Sequence, residues 1–270
     1  MDTVELEAVE KQHLFVNAPE SLPLLRRFYG AKEFIQGIER WCIWITDDFL
    51  ELAQTIPFIQ KRIKSVREFR SNSKKKSTRD RVDKPYQFTE IRRYGVAAMI
   101  VPSVSSENRP FLPVGFVPGN AIISNLAFGI YDPPDYLLAI LSSRLHLVWT
   151  ATVGGQLETR LRYSNTLVYN TFPLPELSGD QKLILEDMTF NILSAREAHP
   201  GKTIAWLYNP ETMPAGLLAA HRELDDVLER MYIERSFKND TERLEHLFKL
   251  YVAMTGQSAR KTPIKELVAA

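Results

Sequence analysis

The chain has 270 residues, 44% of them hydrophobic and 25% charged, and a formal net charge of +1. This is the make-up of a folded protein of one or two domains, and it excludes collagen-like, disordered and disulfide-scaffold classes. No apolar run of about 18 residues marks a membrane span and no charged-then-apolar leader opens the chain. The single Cys42 forms neither an internal bridge nor a cysteine-pair metal site, so a reducing, cytoplasmic setting with no membrane partner is the expectation.

Residues 1–23 are polar and lack a strong period, and read as a linker or as the end of a larger preceding part. From residue 24 to about 172 the pattern is mixed. Residues 41–45 are a short aromatic and β-branched run suited to a buried strand, and residues 50–69 have helical spacing. That helix runs into a basic segment. Between residues 61 and 93 stand thirteen basic and four acidic residues, a net of +9, which leaves about −8 on the rest of the chain. A basic segment on an otherwise acidic protein suits a polyanion held on one side. A solvated loop around Ser71 to Thr78 explains the same charge, and charge alone leaves both readings open. Residues 94–101, 111–117 and 126–131 are apolar runs separated by prolines and glycines, which predicts short strands with irregular connections.

Asp135 can cap a helix reaching Val153, because Leu137, Leu138, Leu141, Leu145, Val148, Trp149 and Thr152 recur at three- and four-residue spacing until Gly154-Gly155. His146 and Trp149, inside that helix, read as core. Residues 155–163 then alternate. In an extended backbone Glu158, Arg160 and Arg162 share one face, and Leu157, Thr159, Leu161 and Tyr163 the other. Glutamate accepts from the cytosine amino group and arginine donates two bonds to guanine. Alternate strand residues stand roughly 6.6 Å apart, about two base-pair steps. A surface pairing of Glu158 with an arginine fits the same spacing. After Pro173 only helical patterns remain, at residues 180–198, 215–232 and 240–254, the last capped by Asp240 or Thr241 and stopped by Gly256. The expected fold class is α+β: a small mixed-sheet domain with packed helices, followed by a small all-α helical module.

An active centre is not evident. A phosphate-cradling glycine loop, a His-Glu-x-x-His site and a nucleophile–base pair are all missing. Asp132-Pro133-Pro134-Asp135 has an acidic residue where an amino-methylating enzyme needs a stacking aromatic, and helix capping explains it better. The sequence therefore assigns this chain no catalytic residue, metal or cofactor.

Residues 28–37 with Arg40-Trp41-Cys42-Ile43-Trp44, Ile100-Val101-Pro102 with Ser105-Ser106-Glu107-Asn108-Arg109, Pro113-Val114-Gly115-Phe116, Ser142-Ser143-Arg144-Leu145-His146, and Arg162-Tyr163-Ser164-Asn165 with residues 168–173 form a set of distinctive segments. Together they resemble the target recognition domain of the MmeI-like, type IIL adenine-specific DNA methyltransferases, which are single-chain restriction-modification enzymes. Leu207-Tyr208-Asn209-Pro210 and Met213-Pro214 resemble the family's closing helical module. The leucine-rich helix, the double glycine and Phe172-Pro173-Leu174-Pro175-Glu176 are also similar to the recognition half-domains of type I specificity subunits.

The resemblance implies double-stranded DNA as partner, with base readout by Glu158, Arg160 and Arg162. Charge alone nominates Lys74, Lys75, Lys76, Arg79, Arg81, Arg92 and Arg93 for the DNA backbone, and Ser105 and Arg109, within a segment that carries the resemblance, join them. The resemblance also implies residues 1–23 as the end of a methyltransferase portion, 24–175 as the recognition domain and 176–270 as the helical module. A nuclease and an S-adenosylmethionine-dependent methyltransferase portion would precede this chain in the parent. Two other classes stay open: a protein-interaction module docking a partner subunit through its C-terminal helices, and an enzyme with an unrecognised centre.

Overall fold

The computed structural model describes residues 5–88 and 95–258. The first half runs β1 (Glu5–Leu6), α1 (Ala8–Asn17), β2 (Leu25–Tyr29), α2 (Ala31–Gln36), β3 (Trp41–Ile43), α3 (Leu50–Thr55), α4 (Pro57–Ser71) and the single turn α5 (Lys76–Arg79). Next come β4 (Ala97–Pro102), β5 (Val104–Ser105), β6 (Gly115–Pro118), β7 (Ile122–Ile123) and β8 (Ala127–Tyr131). The chain continues through α6 (Tyr136–Ser142), α7 (Arg144–Val153), β9 (Gln156–Leu157), β10 (Arg160–Arg162), α8 (Gly179–Glu197), α9 (Ile204–Leu207), α10 (Ala215–Ile233) and α11 (Asp240–Ser258). The α+β expectation holds.

Three small sheets, ordered β1-β3-β2-β7, β6-β4-β8 and β5-β10-β9, organise the strands. Every pairing is antiparallel except β2 with β7. Successive strand residues face opposite ways, and β4 uses both faces. Ala98 and Ile100 point into a small core with Val117 and Ile123, whereas Met99 and Val101 point into the large core beneath α6, α7 and α8. A strand buried on both sides reads as a continuous apolar run, as residues 97–101 do. The large core also takes Leu217, Leu224 and Leu228 of α10 and Leu247 of α11, so the C-terminal helices share the core of the strands before them. A buried polar chain reinforces the junction: Arg196 of α8 donates through Nε to the Tyr208 hydroxyl (2.9 Å), which bonds His221 Nε2 (2.8 Å), and Phe111 stacks on His221 at 4.1 Å.

The structure corrects four expected boundaries. The residues expected as a linker are folded: β1 pairs with β3, and Leu6 and Leu14 are buried with Ile43, Ile45 and Ile59. The expected helix 50–69 is two helices, because Ile56 precedes Pro57, whose ring disfavours helical backbone there; Ile56 is extended (φ −97°, ψ 109°). The expected helix 135–153 is also two, bent by 55°. Ser143 is extended there and its hydroxyl accepts from His146 N, restarting the helix. α11 is capped by Asn239, which accepts from Glu242 N at 3.0 Å, and it continues past Gly256 to Ser258.

The basic segment has a buried anchor. Arg70, 1% exposed at the end of α4, donates to the carbonyls of Arg81 (3.0 Å), Lys84 (2.9 Å) and Gln87 (2.8 Å), so the loop is folded around its side chain. Replacing Arg70 with methionine strands three carbonyls, which is expected to cost about 3 kcal/mol. Urea unfolding should show that loss, together with faster proteolysis between residues 74 and 84. Unchanged cleavage there would mean that the loop holds itself without Arg70.

Candidate nucleic-acid interface

The expected single strand at residues 155–163 is a hairpin. Leu157 pairs with Arg160 and Gln156 with Leu161, leaving Glu158 and Thr159 as a two-residue turn. Glu158 has φ 59°, a left-handed value that a two-residue hairpin turn demands and that glycine or asparagine adopts more cheaply. The alternation survives on β10 alone, where Arg160 and Arg162 are exposed and Leu161 is 7% exposed. Leu157 and Thr159, expected inside, are exposed with the rest of residues 155–160. The result is a short projecting ribbon with a charged tip.

Two glycines and a tyrosine fix this ribbon to the scaffold. A Cβ on Gly154 would lie 2.4 Å from the Arg162 carbonyl oxygen, so only glycine lets the end of α7 approach β10 so closely. Gly155 has φ 77° and its carbonyl accepts from Arg162 N at 3.2 Å. Tyr163, 4% exposed, donates its backbone N–H to Ser103 O and shares a 3.0 Å hydrogen bond with His146 Nε2. Phe172 meets the same imidazole edge-on at 4.6 Å. His146 is therefore the packing residue the sequence suggested, and it sits beneath the ribbon. Burial drives its pKa down to about 3 and pushes that of Tyr163 well up, so both are neutral.

Charges at the tip are partly paired. Arg160 donates to Glu158 Oε2 at 2.7 Å, the surface pairing that the spacing also allowed. Arg162 has no ion pair among the described residues. Beside the tip, the loop after β5 brings Glu107 against Thr159. That side-chain hydrogen bond, then Glu107's own backbone and the charge of Arg160, hold its carboxyl below the usual range. Sequence reasoning passed over Glu107 and Thr159. The stretch Ser105 to Arg109 was noticed, but nothing in it signals contact with a turn more than fifty residues later.

The nominated backbone residues separate into kinds. Lys74, Lys75 and Lys76 are exposed, as is Arg81. Arg79 is turned back, donating to the carbonyls of Ser73 and Lys74, both at 2.8 Å, and braces the loop. Ser105 is 4% exposed, so its hydroxyl is not an open phosphate ligand; it accepts instead from Arg109 at 3.2 Å. Arg109 is half-buried, with no carboxylate partner and an unanswered Nε among the described residues, and burial lowers its pKa. Arg92 and Arg93 lie outside the described residues. Asp132 is spent on the fold: its Oδ1 accepts from Val96 N (2.7 Å) and Ala97 N (3.2 Å), so the Asp-Pro-Pro-Asp segment is a turn.

Similarity to known proteins follows these elements. Residues 2–176 match the family described as MmeI, target recognition domain, and residues 178–258 match MmeI, C-terminal domain. DNA methyltransferase A of Bacillus subtilis (strain 168) is 44% identical over 237 residues, 88% of this chain and 27% of that protein. The solved structure of the type IIL restriction-modification enzyme MmeI in complex with DNA matches with a TM-score of 0.89 at 38% identity, over 94% of this chain and 34% of that one. The chain thus spans about a quarter to a third of the length of these relatives.

Proposed function

Because the chain belongs to the MmeI target recognition domain family and continues into the MmeI C-terminal domain, we propose that it is the double-stranded DNA recognition module of an adenine-specific restriction-modification methyltransferase. The observation that carries this reading is the projecting β9–β10 ribbon. A two-stranded ribbon fits the major groove, where glutamate and arginine distinguish G·C pairs. Glu158, Arg160 and Arg162 read bases; Lys74, Lys75, Lys76 and Arg81 neutralise phosphates and fix register without reading sequence. Arg109, held by Ser105 beside the ribbon, adds positive charge to that side of the interface. The chemistry belongs to the rest of the parent, where S-adenosylmethionine supplies the methyl group and the target adenine is flipped out of the stack. Residues 24–175 carry the addressing, the helices between Gly179 and Ser258 brace it, and the cytoplasm is where this DNA is met.

Duplex titration across salt concentrations tests the proposal. Affinity should fall steeply between about 50 and 200 mM salt, and changing Lys74, Lys75 and Lys76 to glutamine should weaken binding to all sequences alike. A module that only docks protein would bind duplex DNA without that salt dependence or not at all. One observation does favour a docking role beside the DNA role: Leu183 and Phe190, seven residues apart on α8, are 61% and 69% exposed. We assign that face to the remainder of the parent polypeptide.

A further inference from the structure

α4 sorts its cations by face. Ile59, Val66 and Arg70 form its buried stripe. Arg62 pairs with Glu10 and lies over the Phe58 ring at 5.5 Å. Lys61, Lys64 and Arg67, at three-residue spacing, are exposed, and none has an ion pair among the described residues. With Gln54, Gln60 and Ile63 they line an open groove of about 520 Å³. Residues 52–67 contain no acid. Like charges three residues apart on a helix repel, and Glu68, four residues after Lys64, forms no ion pair among the described residues to offset this.

We propose that this groove is a second binding site, for the phosphodiester backbone of duplex DNA, additional to the ribbon and the Lys74–Lys76 segment. The proposal rests on the DNA-recognition reading. Six residues of helix rise about 9 Å, the axial length over which one DNA strand carries about three phosphates. The three cations therefore meet successive phosphates, Gln54 and Gln60 add neutral amide donors, and Ile63 gives the sugar edge an apolar floor. The helix leads directly into the Lys74–Lys76 segment, so cations that contact phosphate continue along the chain without an intervening base reader.

The test is a titration of the full chain with a mixed-sequence duplex of about 30 base pairs at several salt concentrations. Changing Lys61, Lys64 and Arg67 together to glutamine should make the log affinity against log salt slope shallower by about 2 to 3 and weaken low-salt binding at least about tenfold, leaving sequence preference unchanged. A Lys61→Arg, Lys64→Arg double variant should keep the parental slope. If the triple variant keeps the parental slope, or loses sequence preference along with affinity, the groove is not a backbone site. If the unaltered chain itself shows no salt-dependent duplex binding, the recognition reading falls and this inference falls with it.

Discussion

Acidification from pH 6.5 to about 4.5 is expected to destabilise the chain through two buried histidines. His146 and His221 are both fully buried; burial takes His146 to about 3 and, with the Arg196 charge adding to it, sets His221 well below the usual range. The unfolded chain takes up these two protons near pH 6.5 and the folded chain does not. Their stabilisation is therefore complete above pH 6.5 and is lost as pH falls toward 3. For His146 this costs about 1.4 kcal/mol per pH unit, roughly 2 to 3 kcal/mol over two units, and His221 adds to it in the same direction.

Asp225 opposes this. Burial raises its carboxyl to about 7 while Oδ1 accepts from Arg144 N at 2.6 Å, so its contribution is complete below pH 3.8 and is lost as pH rises through 7. Over the same window it offsets an amount similar to the His146 contribution, so the net loss is what His221 adds. An amide in place of this carboxyl would keep the acceptor and remove the titration. Asp225→Asn should accordingly raise stability at pH 8 and steepen the loss below pH 6.5, as read by urea unfolding at successive pH values. A wild-type stability that is flat from pH 6.5 to 5 would show that the imidazoles reach water in the folded state.

Why some of this was legible is physical. β4 showed itself because burial on both faces demands an unbroken apolar run, and α10 because Leu217, Leu224 and Leu228 recur with the helical period. The break at Ser143 was masked because α6 and α7 are buried over most of their surface, so apolar spacing continues across it. Only the serine pair Ser142-Ser143 hinted at a cap. The hairpin was masked because Glu158-Thr159 contains no glycine or asparagine to announce it; its two-residue turn reverses the odd–even pattern and puts Leu157 on the face of Arg160 rather than that of Leu161. The first residues were missed because Leu6 and Leu14 are single anchors eight positions apart. Arg70 was hidden for another reason, since an arginine inside a run of cations looks like the others until its acceptors are in place.

The ribbon supplies the sharpest functional expectation. Exchanging its tip charges, Glu158→Arg with Arg160→Glu, should change which base pair the chain prefers at the contacted position by roughly 10- to 100-fold, since a bidentate base contact discriminates by about 1–3 kcal/mol. The exchange is a fair probe because its main structural contact is kept, the one added repulsion being that of Glu107 with the new carboxylate at position 160. The 2.7 Å ion pair can re-form with its partners reversed. Arginine meets the same left-handed backbone penalty at position 158 as glutamate, both being unbranched at Cβ. Leu161 and Tyr163, which seat the ribbon, are untouched. Each single substitution should lose affinity for the parental site, because it sets like charges side by side, and the double variant should bind its new site better than either. Glu158→Gly separates geometry from readout: it relieves the φ of 59° and should leave stability unchanged or slightly higher, while relaxing discrimination. Selection of bound duplexes from a library randomised across the site reads all four proteins at once. A double variant that selects the parental sequence, or that loses affinity for every sequence equally as the Lys74 to Lys76 variant should, would show that Glu158 and Arg160 only hold the turn together.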